Sequence, residues 1–154
     1  MTPDKKLIGQ TELIGFPELR LENVVARVDT GATTSAIWAS NIEVVNGMLQ
    51  YTLFDAASEY YTGQVLRTRA FNTRVIISSI GVKEERYAVR LLILVSGRRI
   101  RAHFTLANRS SQKYPVLVGR NILRGKFLVD VERGHNELIV IEKHSEQATK
   151  DFVI

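Results

Sequence analysis

Apolar residues recur at every second position through much of this chain, the spacing of strands buried on one face. Ile100, Ala102, Phe104 and Leu106 alternate with Arg99, Arg101, His103 and Thr105. The preceding run, Tyr87, Val89, Leu91, Ile93 and Val95, keeps the same period and leads into it through Ser96-Gly97. A hairpin is predicted there, because glycine accepts the positive φ that tight turns impose. Asn46-Gly47 predicts a second hairpin between residues 42–45 and 48–53, since both residue types tolerate that conformation. Further strands are expected at 19–28, 75–78, 116–118, 127–131 and 137–141.

One short helix is predicted from Arg120-Asn121 through Ile122-Leu123-Arg124, with Gly125 placed to end it in a left-handed conformation. Many short strands, close turns and almost no helix indicate an all-β barrel or sandwich. No repeat or low-complexity tract divides the 154 residues, 45% of them hydrophobic, so a single domain over 1–154 is expected, its core at about 15–142. The polar run 142–150 reads as a tether, and residues 151–154 end the chain on apolar side chains.

Composition narrows the chemistry. With no cysteine, disulfides, thiol nucleophiles and thiolate metal sites are excluded together. His103, His135 and His144 are scattered, and no His-Glu-x-x-His occurs, so no metal site is expected. Phosphate-loop and dinucleotide glycine motifs are missing, and no cofactor is expected. The first residues form neither a signal peptide's apolar region nor a membrane span, and a soluble, cytoplasmic protein is expected.

The formal charge of +5 is unevenly placed. Between residues 67 and 101 stand Arg67, Arg69, Arg74, Lys83, Arg86, Arg90, Arg98, Arg99 and Arg101, against only Glu84 and Glu85. Such a surface concentrates anionic partners, although a solvated strand face would look the same. The stretch holds only Phe71 and Tyr87 as aromatics, too few for the stacking surface of a single-strand nucleic-acid binder.

The candidate chemistry lies at Val24-Val25-Ala26-Arg27-Val28-Asp29-Thr30-Gly31-Ala32, an acidic residue between an apolar strand and a glycine. Alone, Asp-Thr-Gly also describes a turn closing a strand. The segment resembles the active-site loop of the retropepsins, the retroviral-type aspartic proteases. A second motif, Tyr114-Pro115-Val116-Leu117-Val118-Gly119-Arg120-Asn121-Ile122-Leu123, resembles the strand that leads into that fold's single helix. Ser79-Ile80-Gly81, Glu84-Glu85-Arg86-Tyr87 and Leu106-Ala107-Asn108-Arg109-Ser110 are similar to a bacterial retropepsin-like family often labelled ATP-dependent zinc protease.

The resemblance implies a closed β-barrel with Asp29, Thr30 and Gly31 as catalytic loop and Gly119, Arg120 and Asn121 supporting it. It further implies a flap hairpin over about residues 75–89, in which Ser79, Ile80, Gly81 and Val82, together with Ala32, meet the substrate. Aspartic proteases need two carboxylates that share a proton, and no second Asp-Thr/Ser-Gly exists in this chain. A homodimer is therefore expected, with Asp29 contributed twice. Terminal residues 151–154 are candidates for an intersubunit sheet. The basic flap region suggests an acidic peptide substrate, and the family resemblance brings an association with glutamate ligases. The rival reading is a barrel that kept the fold and serves as a catalytically silent peptide-binding or regulatory module.

Overall fold

Val89 and Phe104 face each other across the antiparallel pair that the alternation predicts, and both are buried. The computed structural model describes residues 4–134. The strand expected at 137–141, the tether, the terminal segment, His135 and His144 lie outside the described residues. The elements run β1 (Lys6–Ile8), β2 (Thr11–Phe16), a 3-10 turn (Pro17–Leu19), β3 (Leu21–Val28), β4 (Ser35–Val45), β5 (Met48–Leu53) and β6 (Val65–Thr68). They continue with β7 (Phe71–Ile77), β8 (Lys83–Val95), β9 (Arg98–Ala107), β10 (Val116–Val118), α1 (Arg120–Leu123) and β11 (Phe127–Val129).

Six strands close a barrel in the order β10-β3-β2-β8-β9-β4, the last returning to β10 through Ile37 and Val116. Closure removes the open edges that would otherwise pair with another chain. Two long strands serve the barrel with only part of their length. The first residues of β4, Ser35 to Trp38, pair with β9, whereas Ala39 to Val45 pair with β5, across a register shift where Asn41 takes a φ of 52°. Likewise β8 pairs with β9 from Ala88 onward, and from Lys83 to Val89 it carries β7 as a projecting hairpin.

Both predicted tight turns form. Asn46-Gly47 has φ of 52° and 76°, and Ser96-Gly97 has 48° and 78°, the doubly positive signature of a two-residue type I′ turn. The helix occupies Arg120–Leu123, and Gly125 is left-handed at φ 77°. Some boundaries move. The strand expected from residue 19 begins at Leu21, because Pro17 opens a 3-10 turn and Arg20 closes it in a left-handed conformation. The strand expected at 75–78 spans Phe71–Ile77, and the one expected to 131 ends at Val129, where its pairing with β1 stops at Ile8.

Inside the barrel, Ile14, Phe16, Val24, Ile37, Ile93 and Phe104 are fully buried, each contributing roughly 1.5–3 kcal/mol of hydrophobic stabilisation. A second aromatic layer lies under β5, where the Phe54 ring meets Trp38 edge-on at 6.4 Å and Tyr60 at 5.6 Å. The Tyr60 hydroxyl accepts the Val25 N–H at 3.3 Å, tying this layer to the strand that delivers the site. No helix among the described residues is long and apolar enough to cross a membrane.

Candidate active site

The core strand β3 runs directly into Asp29, and its neighbour β10 fixes where it ends. Val116 to Val118 lie parallel to Ala26 to Val28, and the Asp29 N–H then donates to the Val118 carbonyl at 2.8 Å. After that bond the chain turns. The Gly31 N–H donates to Asp29 Oδ1 at 2.9 Å and the Ala32 N–H to the Asp29 carbonyl at 3.2 Å. One carboxylate oxygen thus holds the turn, an Asx arrangement, leaving Oδ2 without a hydrogen-bond partner among the described residues. The Asp29 side chain is half-buried, and it makes no ion pair among the described residues.

The second motif clamps this loop from behind. Gly119 lies so close that a Cβ there would sit 2.7 Å from the Thr34 carbonyl carbon and 2.9 Å from the Ala32 oxygen. Only a residue without a side chain fits between those backbones. The Arg120 N–H donates to the Ala32 carbonyl at 2.8 Å. Its guanidinium donates from Nη1 to the carbonyls of Thr30 and Gly31, both at 3.2 Å, and from Nη2 to Thr33 Oγ1 at 3.0 Å. This planar fork matches two diverging directions at once, which a lysine ammonium cannot do. Asn121 reaches sideways, its Nδ2 donating to the His103 carbonyl at 3.0 Å.

Asp29, Thr30, Gly31 and Ala32 are thus brought together with Gly119, Arg120 and Asn121. Ser79, Ile80, Gly81 and Val82 stand apart at the tip of the β7–β8 hairpin. The tip is closed by the Ser78 N–H to the Val82 carbonyl at 2.9 Å and by the Val82 N–H to Ser78 Oγ at 3.1 Å. Among the described residues no hydrogen bond joins it to the Asp29 loop. Ile80 is 84% exposed. Pairing register puts Val75 and Ile77 on the same face as Phe71 and Val89, so the lining of the barrel interior continues outward as exposed apolar side chains.

Residues not singled out as site residues complete the arrangement. Ser35 is fully buried, and its Oγ lies 2.7 Å from Asn121 Oδ1 while accepting the Gly119 N–H at 2.9 Å. Thr33, Thr34, Arg74, Arg120, Asn121 and Arg124 line an open pocket of about 380 Å³ between the end of the loop and the middle of β7. No local sequence signal marked Ser35, whose partner Asn121 stands 86 positions along the chain. No cluster of three or more His, Asp or Glu side chains able to hold a metal ion occurs among the described residues.

A family described as RimB-like, retropepsin-like aspartic endopeptidase RimB, matches residues 7–138. Proteins of Shewanella pealeana and Shewanella halifaxensis, each named probable alpha-L-glutamate ligase, are 33% identical over 134 residues, covering 84% of this chain and 29% of theirs. A Desulfotalea psychrophila protein of the same name is 28% identical over 130 residues, 82% of this chain and 28% of its own. The chain therefore spans less than a third of the length of these curated relatives. A crystal structure of a Legionella pneumophila protein of unknown function shares the fold, with a TM-score of 0.62 at 22% identity over 84% of this chain and 95% of that one. Since the family match takes in both the Asp29 loop and the Gly119 clamp, the chain belongs to the RimB-like family of retropepsin-like aspartic endopeptidases.

Proposed function

We propose that the chain is an aspartic endopeptidase whose working form is a homodimer, with the Asp29 carboxylates of two copies meeting across a two-fold axis. The carrying observation is the loop itself: Asp29 at a strand end, Oδ1 fastened by the Gly31 N–H, and the backbone clamped by Gly119 and Arg120. A loop held by so many bonds is suited to present a carboxylate in one orientation. One Asp29 per chain supplies half of the machinery, and a second copy related by symmetry supplies the same group.

Two carboxylates at close range share one proton and titrate as a unit. The ionised member takes a proton from water as the water oxygen bonds to the scissile carbonyl carbon. The protonated member donates to the carbonyl oxygen, giving a tetrahedral diol. Collapse of the diol breaks the C–N bond: the carboxyl that took a proton from water gives it to the departing nitrogen, and the other takes one back from a diol hydroxyl, restoring the shared proton. Thr30 is assigned to the contact between copies and Gly31 to the close approach of backbone at the axis, as the family resemblance implies. Ser79, Ile80, Gly81, Val82 and Ala32 are assigned to substrate contact, the exposed apolar face of the hairpin closing over the peptide.

The substrate class we propose is acidic peptide. The basic residues crowd the hairpin and its flanks, and relatives named glutamate ligases contain a segment similar to this chain. A functional link with such a ligase is part of the same reading, and any use of ATP belongs to that partner.

The test is cleavage of acidic peptides and of a denatured protein by wild type and by Asp29→Asn across pH, with oligomeric mass measured alongside. Loss of turnover by a factor of about 10³ or more in a dimeric Asp29→Asn protein is the expected result. Equal activity in the variant removes the aspartic mechanism. Binding of peptide without turnover in wild type favours the silent peptide-binding module.

A further inference from the structure

Among the described residues, the pocket beside the Asp29 loop is lined by three arginines and no acidic residue. Of the three guanidiniums, that of Arg120 is committed to Thr30, Gly31 and Thr33. Those of Arg74 and Arg124 have no acceptor among the described residues. They approach from different elements, Arg74 from the middle of β7 and Arg124 from the end of α1. Thr33 and Thr34 form the wall between, only four and five positions beyond Asp29.

Positive charge is also left over next to the pocket. Arg74 stands directly opposite Arg86 in the β7–β8 register, a like-charge cross-strand pair that disfavours the sheet. Arg86 has one acidic partner, Glu84 at 3.0 Å, and its Nε is buried without an acceptor. Burial lowers the Arg109 pKa, and the nearby positive charge of Arg86 lowers it further. Among the described residues, Arg74, Arg86 and Arg124 thus bring more positive charge to this cleft than Glu84 offsets, an arrangement suited to an anionic ligand. The volume of about 380 Å³ falls in the lower part of the range of ligand clefts, roughly 300–1,000 Å³.

We infer that this pocket is the subsite for a substrate carboxylate, in which Arg74 and Arg124 hold an acidic side chain of the peptide close to the scissile bond. The inference rests on the peptidase reading and adds to it the groups that select the substrate. Arg120 forms the wall shared with the catalytic loop, so an occupied subsite lies within a few residues of the bond presented to Asp29. Arginine suits the task because its planar fork can pair both oxygens of a carboxylate.

The experiment compares a glutamate-rich peptide with its glutamine-substituted counterpart. Binding is read by fluorescence anisotropy in an Asp29→Asn background, and turnover as a ratio of kcat/KM values in the active protein. Arg74→Gln with Arg124→Gln is expected to lower the glutamate-over-glutamine preference about 10- to 100-fold. The Arg74→Lys, Arg124→Lys protein is expected to retain an intermediate preference. Arg67→Gln with Arg69→Gln, on the β5–β6 side of the molecule, removes the same charge and is expected to leave the ratio unchanged. A ratio that survives the Arg74 and Arg124 changes, or falls equally in the Arg67 and Arg69 control, overturns the subsite. So does wild-type protein that binds neither peptide. If wild type cleaves both peptides equally, the subsite fails while the peptidase stands. If it cleaves neither, but the binding preference is lost only in the Arg74 and Arg124 variant, the subsite stands and the peptidase reading fails.

Discussion

Ser35 Oγ lies 2.7 Å from Asn121 Oδ1 and 2.9 Å from the Gly119 nitrogen, so one buried hydroxyl donates to the helix side chain and accepts from the strand-to-helix junction. The first residue of β4 is thereby locked to the segment that backs the Asp29 loop. Ser35→Ala leaves a buried N–H and a side-chain oxygen without a partner. A loss of about 2 kcal/mol is expected, read from the urea midpoint at unchanged m-value. A variant as stable as wild type would show that this hydroxyl is not a structural tie.

Gly119 carries a different burden, steric and not conformational. Its φ of −100° is open to any residue, yet a Cβ would collide with the backbone of Thr34 and Ala32. Gly119→Ala should therefore displace the loop and cost about 3 kcal/mol, or roughly 10 °C in Tm. Gly125→Ala is a useful contrast: nothing lies within 4 Å of its Cβ position, but its φ is +77°. The expected cost there is smaller, about 1 kcal/mol, from backbone strain alone. Equal melting temperatures for the two variants would contradict the steric account.

Tyr51 makes an alkaline signature. It is a buried residue of β5, and burial pushes its phenol up to about 12. The folded state therefore holds this proton more tightly than the unfolded chain, whose tyrosines titrate near 10. The associated stability is intact below about pH 10 and is lost as pH rises through 12, at up to about 1.4 kcal/mol per pH unit. Tyr51→Phe should flatten the fall in unfolding free energy between pH 10 and 11.5, measured by urea titration at each pH. Parallel curves for the two proteins would assign the alkaline loss to other groups, such as Tyr60, whose burial raises it as well.

The long alternating strands and their turns were legible because Val89, Leu91, Ile93 and Val95 of β8 and Ile100, Ala102, Phe104 and Leu106 of β9 are buried at every second position, and Asn46-Gly47 and Ser96-Gly97 adopt the conformation their residue types favour. Short elements left weaker traces. In β2, adjacent Leu13 and Ile14 break the alternation and Gly15 separates them from Phe16, and in β6 only Leu66 packs against the core. The Asp29 loop and the Gly119 segment could be read as motifs, but what joins them could not. Ser35 and Asn121 stand 86 positions apart, and no local pattern marks a serine whose partner arrives from so far along the chain. Arg74 and Arg124 look in sequence like ordinary solvated charges. Only the barrel's closure, which sets the middle of β7 against the end of α1, shows that they share a pocket with residues of the Asp29 loop.

Arg120 separates positioning from mere stability. Its guanidinium holds the carbonyls of two successive peptides, those of Thr30 and Gly31, and fixes Thr33, while its backbone N–H would hold Ala32 whatever the side chain. Arg120→Lys keeps the charge and the backbone bond but loses the fork. The helix and barrel should survive with a Tm within a few degrees of wild type, because the side chain is only half-buried. Loosening of the loop by about an ångström should nonetheless lower kcat/KM on the order of 100-fold. Since Arg120 does not touch the reacting atoms, the loss should fall mainly on kcat, with KM for the glutamate-rich peptide little changed. A lowered Tm with normal kcat would reduce Arg120 to a structural tie. A raised KM at normal kcat would instead move it into the carboxylate subsite beside Arg74 and Arg124.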